Sequence, residues 1–337
     1  MPLLMTSNEL TALVQDLMKA QTVYGPVRRG RDYVFAPLER PESVDLSYVT
    51  TVLPPKKVVR PPKETLFKFS KGEVDDFTLR EDIRNVIFGA HPCDVNALRI
   101  LDRVFANAGE DPYYFHRRRN TRVIALNCSK ANEYCFCTSF GSGPELNSGY
   151  DLLLTNLGDT FLVEVGSDVG AAMIDGRELR EAAPRDLELK RLRMDATRRM
   201  ITRRMNTSNL QRLMDGSLYH SIWTRLGSEC LSCGLCNMVC PTCFCFNMKD
   251  QLNMDLESGF RYRQWDSCQL YEYAEVTLGG NFRRQRSSRV RQFINHKLNY
   301  WVTQYGGYGC VGCGRCISQC IAGIDMTKVV AEIAGTG

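Results

Sequence analysis

Residues 8 to 19 (NELTALVQDLMK) place apolar side chains at helical spacing and predict an amphipathic opening helix. From 22 to 70 the pattern alternates and is broken by Pro-Pro at 54–55 and 61–62. That predicts short strands and extended loop, with LPPKKVVRPPKE as a surface arm. Between 85 and 128 the pattern sharpens. NVIFGA reads as a buried strand, VNALRILDRVF as a helix and TRVIALNC as a second buried strand. Strand, helix, strand in that order is a βαβ unit with two parallel strands. DLLLTNLGDTFLVEV (151–165) reads as a β-hairpin turning at Gly158–Asp159. ELKRLRMDATRRMITRRM, within 184–212, lacks glycine and predicts a long helix. SSRVRQFINHKLNYWVTQYG adds helix near the end.

The expected fold class is therefore α+β, with a domain boundary near 180. Residues 1–180 form an α/β domain containing the βαβ unit and the hairpin. Residues 181–337 form an α-helical, ferredoxin-like domain, in which a long helical insert separates two cysteine runs.

Composition narrows the chemistry. A net charge of +5 over 337 residues is too weak to demand nucleic acid. No stretch approaches the roughly 18 apolar residues of a membrane span, and the N-terminus lacks the pattern of a signal peptide. A cytoplasmic location is expected. The 15 cysteines bunch as C-x2-C and C-x-C, which suits metal ligation in a reducing compartment better than a disulfide framework.

Two runs carry most of the signal. Cys230, Cys233, Cys236 and Cys240, followed by Pro241, have the C-x2-C-x2-C-x3-C-P spacing of iron–sulfur ferredoxins. Cys310, Cys313, Cys316 and Cys320 repeat the spacing without the proline. In two-cluster ferredoxins the fourth cysteine of each run commonly serves the other cluster. The expected ligand sets are thus Cys230, Cys233, Cys236 and Cys320 for one 4Fe–4S cluster, and Cys310, Cys313, Cys316 and Cys240 for a second. Zinc prefers two C-x2-C pairs with a spacer, not three cysteines at strict three-residue steps.

Cys93 and Cys128 fall at the carboxyl edge of the βαβ unit, and Cys135 and Cys137 follow in the next loop. Four cysteines are enough for a third cluster; the alternative is a set of buried free thiols. Cys243, Cys245 and Cys268 fall one short of a four-cysteine site. They are expected to pack against or hydrogen-bond a cluster, the alternative being a further metal with a non-cysteine group such as Asp266. His91, beside Cys93, is a weaker ligand candidate. The basic stretches 198–204 and 283–291 read as solvated helix faces or docking surfaces. No catalytic motif is present beyond the cluster ligands.

FGAHPCDVNALRILDRVF, DPYYFHRRR, EYCFCTSF, CLSCGLCNMVCPTCFCF, RQWDSCQ, GGNFR and CVGCGRC together resemble the iron–sulfur β subunit of soluble cytoplasmic sulfhydrogenases. The same pattern is similar to the A subunit of anaerobic sulfite reductase. The resemblance runs from about residue 25 to 325. It implies that Cys93, Cys128, Cys135 and Cys137 are a true ligand set. It also implies an electron conduit between a flavin subunit handling NAD(P)H, of ferredoxin–NADP reductase type, and a catalytic subunit. That subunit would be a NiFe hydrogenase small subunit, a sulfite reductase or a heterodisulfide reductase. The rival readings are a stand-alone iron–sulfur reductase of a sulfur compound and a zinc-dependent nucleic-acid-binding protein.

Overall fold

The computed structural model describes residues 1–107 and 109–335. An eight-stranded mixed sheet organises the first half. Its strands are β1 (Leu3–Thr6), β2 (Thr22–Arg29), β3 (Asp32–Pro37), β6 (Asn85–Ala90), β7 (Thr121–Leu126), β8 (Leu152–Asn156), β9 (Thr160–Val165) and β10 (Arg180–Glu181). They lie in the order β10-β1-β9-β8-β7-β6-β2-β3. The central strands β2, β6, β7 and β8 run parallel, as the βαβ pattern demands. β8 and β9 form the expected antiparallel hairpin.

Alternation along β6 and β7 explains why helices cover both faces. Val86, Phe88, Ile124 and Leu126 point to one side and pack with Leu10, Leu13, Val14 and Leu17 of the opening helix, Ser7–Ala20. Thr6 and Glu9 close that helix with a reciprocal capping box. Ile87, Val123 and Ala125 point the other way, onto Val95, Leu98, Leu101 and Phe105 of the helix Pro92–Ala106.

A second, antiparallel sheet draws on both halves of the chain. β4 (Lys63–Ser70) and β5 (Glu73–Asp75) join β11 (Phe246–Leu252) and β12 (Ser258–Trp265) in the order β11-β12-β4-β5. The insert between the cysteine runs is therefore helical only in its second part; its first part is this hairpin. Glu64 of β4, buried, bonds Arg263 of β12 at 2.6 Å and pairs with Arg117, which locks the sheet to the helix Pro112–Arg119.

Two more expectations change. The stretch LPPKKVVRPPKE is not a surface arm. Residues Lys56–Val59 form a helical turn, and Lys56, Val58, Val59 and Arg60 are buried. The long helix ends at Met200, five residues before the end of the predicted stretch at Met205. Residues 201 and 205 turn inward instead: Ile201 and Met205 are buried. Burial overrides helix propensity there.

Candidate metal centres

The two cysteine runs share one local design. The helix Ile222–Glu229 ends directly before Cys230. Gly234, with φ of 78°, starts the one-turn helix Leu235–Met238. Gly314, with φ of 75°, starts its counterpart Arg315–Ser318. In each run a backbone N–H two residues on reaches the first sulfur: Ser232 N to Cys230 Sγ at 3.3 Å, and Gly312 N to Cys310 Sγ at 3.4 Å. Ile324 N reaches Cys320 Sγ at 3.3 Å. Such N–H···S contacts favour negatively charged sulfur.

The thiols gather around two adjoining cavities. Cys230, Cys233, Cys236 and Cys320 line the first, with Val290, Phe293, Ile294 and Met326 as its apolar wall. Cys240, Cys310 and Cys313 line the second, with Lys297, Thr242, Phe136 and Val311. Cys316 touches both. Among the described residues, no three His, Cys, Asp or Glu side chains close on a point as a single metal ion requires. Thiols spread around a cavity suit a multi-iron cluster better than zinc. Burial pushes Cys310 up to about 12 and Cys313 to about 11. These thiols stay protonated without a metal and release protons on binding one.

Cys93, Cys128, Cys135 and Cys137 also come together, at the carboxyl edge of β6 and β7. Cys128 lies within electrostatic range of Cys135 and Cys137, and Cys93 within range of Cys128. Burial raises the pKa of all four thiols. Cys93 and Cys137 both sense Cys313. The close approach is built by glycines. A Cβ on Gly314 would lie 2.3 Å from Tyr134 O, and one on Gly312 would lie 2.5 Å from Phe136 O. Arg315 fastens the same junction: its guanidinium grips Asp94 at 2.7 and 2.9 Å, both side chains being buried.

Cys243, Cys245 and Cys268 form an outer layer. The neighbouring Cys243 thiol lowers the pKa of Cys240, and the neighbouring Cys268 thiol lowers that of Cys245 to about 6. Asn237 Nδ2 links the pairs, lying 3.3 Å from both Cys243 Sγ and Cys268 Sγ. His91 is turned away from ligation. Its two ring nitrogens face the carbonyls of Leu126 and Tyr48, and its ring stacks on Tyr48. Much of the basic sequence is used internally: Arg198 pairs with Glu145, Arg203 with Asp325, and Arg289 holds the carbonyls of Arg283 and Arg284.

Sequence reasoning missed Lys56, Arg60 and Lys297. Lys56 Nζ donates to the carbonyls of Cys240 and Cys243 at 2.6 and 2.7 Å, and lies over the Trp265 ring. Arg60 holds the carbonyls of Phe244 and Cys245. Lys297 Nζ donates to Thr242 Oγ1 at 2.9 Å and Gly309 O at 3.2 Å. Burial pulls Lys56 down to about 8. Burial also works against the Lys297 ammonium, but negative charge on the sulfurs of Cys240, Cys243 and Cys310 favours it and raises its pKa. The Lys-Lys pair between prolines was the available signal, read as surface because isolated lysines usually are.

A family profile described as a 4Fe-4S dicluster domain matches residues 229–324, which contain both runs. The chain is 34% identical to sulfhydrogenase 2 subunit beta of Pyrococcus furiosus over 319 residues, covering 94% of this chain and 93% of that one. No solved structure matches. Among the described residues no helix is long and apolar enough to cross a membrane.

Proposed function

Because the chain belongs to the sulfhydrogenase β-subunit family, we propose that it is the electron relay of a redox complex and holds three 4Fe–4S clusters in a row. Cys230, Cys233, Cys236 and Cys320 hold the first. Cys310, Cys313, Cys316 and Cys240 hold the second. Cys93, Cys128, Cys135 and Cys137 hold the third. Cys243, Cys245 and Cys268 line the clusters without ligating them. A bound cluster supplies one-electron exchange; the chain supplies thiolates, N–H donors, burial and fixed charge.

The observation that carries this reading is the adjacency of the three thiol groups. Cys316 borders both cavities, Cys313 and Cys93 pack against one apolar cluster, and Phe136 N beside Cys137 bonds Gly312 O beside Cys313 at 2.8 Å. The donors fit the group: sulfur only, wrapped around cavities, with backbone N–H groups aimed at three of the sulfurs. The partners of the relay are a flavin subunit that handles NAD(P)H and a catalytic subunit of hydrogenase or sulfur-reducing type.

Iron and acid-labile sulfide per chain, measured on anaerobically purified protein, test the count. About 12 of each is expected. About 8 would remove the Cys93 set from the ligands, and clearly more than 12 would make Cys243, Cys245 and Cys268 ligands too.

A further inference from the structure

The second cavity holds a charge imbalance that its cysteine spacing does not explain. Lys56 is 2% exposed and Lys297 3% exposed. Among the described residues, neither ammonium has a carboxylate partner. Their hydrogen bonds go to carbonyls and to one hydroxyl. Buried charge is costly unless an opposite charge compensates it. The protein can do this elsewhere: the buried Arg315 has Asp94, and the buried Glu64 has Arg263.

The two lysines arrive from unrelated segments. Lys56 comes from the short proline-flanked turn that dives beneath the first cysteine run. Lys297 comes from a widened π-helical turn, His296–Tyr300, inside the helical stretch from Arg286 to Tyr305. Wide turns of this kind are uncommon and occur preferentially where a side chain has a task. Both ammonium groups converge on the Cys240 end of the second cavity. Thr242 Oγ1 accepts from Lys297, donates to Gly309 O at 2.7 Å and lies 3.2 Å from Cys240 Sγ, so the ammonium and the sulfur share one close neighbour. The first cavity has no lysine in its wall, which is apolar apart from Gln269; its nearest cations stay at the rim, where Arg286 donates to Cys230 O at 3.0 Å and Arg289 to Ser232 Oγ at 3.1 Å.

We propose that Lys56 and Lys297 are positioning residues that raise the reduction potential of the second cluster above that of the first. The inference rests on the relay reading above. A 4Fe–4S cluster with four thiolates carries a charge of −2 when oxidised and −3 after accepting one electron from a neighbouring cluster. A buried positive charge favours the more negative state, and low local polarity strengthens the effect. An electron shared between the first and second clusters thus rests on the second.

The test is a redox titration followed by electron paramagnetic resonance, on full-length protein purified anaerobically with its clusters. The signal removed by Cys313→Ser identifies the second cluster. In Lys297→Met, and separately in Lys56→Met, the midpoint of that signal falls by about 59 mV or more, a tenfold shift in a one-electron equilibrium. The other signals hold their midpoints, and Lys297→Arg stays close to wild type. An unchanged midpoint in both Met variants at full iron content overturns the inference. So does a Lys297→Arg shift as large as that of Lys297→Met. If Lys297→Met loses its iron, Lys56→Met and Lys297→Arg decide the matter. A wild-type protein without iron at Cys310 and Cys313 would instead sink the relay reading itself.

Discussion

The two cysteine runs have the same spacing and nearly the same backbone, yet they sit in opposite surroundings. The first cavity has an apolar wall and opens outward: Cys233 is the one exposed thiol among the fifteen, and Leu231 and Ile321 beside it are 57% and 69% exposed. The second is enclosed between Phe136, Val311 and Lys297, with the Cys93 set against its far side. The spacing decides what kind of group each run can wrap. The surroundings decide how readily that group takes an electron and which side of the molecule it serves.

The strongest way to break the comparison is to remove the residue that ties one run to the other cavity. Cys320→Ala should cost about four iron atoms per chain and strip the first cluster while the second persists. Iron analysis with visible spectra checks this, and an unchanged iron content of about 12 per chain would refute the crossed assignment.

Next in size is the buried ion pair found only at the second run. Arg315→Met leaves Asp94 buried and unpaired, and should destabilise by about 3–5 kcal/mol. The first run has Leu235 at the matching position, so Leu235→Ala should cost clearly less. Denaturant unfolding of both variants measures the difference, and equal losses would show that Asp94 finds another partner.

The paired glycines sharpen the comparison further. Gly234→Ala brings a Cβ within 3.2 Å of the Ser267 side chain, whereas Gly314→Ala drives one into a backbone carbonyl at 2.3 Å. Both pay about 1–2 kcal/mol for the left-handed backbone, and Gly314→Ala about 1–3 kcal/mol more for the clash. Melting curves should rank them in that order. Gly314→Ala should also lose iron from the Cys93 set, because Tyr134 lies next to Cys135.

The smallest effect falls at Ser232, which has a left-handed φ of 53° where the other run has Gly312 at 60°. Ser232→Gly should change stability by no more than about 1 kcal/mol, since relief of backbone strain offsets the lost bond from Arg289 to Ser232 Oγ. Gly312→Ser should be far worse, because its Cβ would meet Phe136 O at 2.5 Å. Comparable unfolding midpoints for the two swaps would mean that the runs are interchangeable.

The strands and helices around Cys93 and Cys128 were legible because their patterns are strong. A fully apolar run such as NVIFGA suits a central parallel strand, and VNALRILDRVF can bury only one face. The hairpin at 152–165 announced itself by its turn. The stretch at 53–64 was misread for a definite reason. Proline and lysine are both surface-prone on average, and nothing local shows that carbonyls of residues 240, 243, 244 and 245 will receive the cations. The strands at 246–252 and 258–265 were hidden in the same way, being largely polar, with the second of them paired to β4, nearly two hundred residues earlier.

By itself, the sequence determined what is local. Three-residue cysteine steps with glycines between them dictate tight loops that present sulfur, and apolar periodicity dictates a sheet covered on both faces. Only the tertiary structure decided what is collective: that the Cys93 set lies against the second run, and that two lysines from distant segments meet at Cys240. Charge compensation and close backbone approach depend on distance in space, and that distance is set by the packing of the whole chain, which no short stretch of it contains.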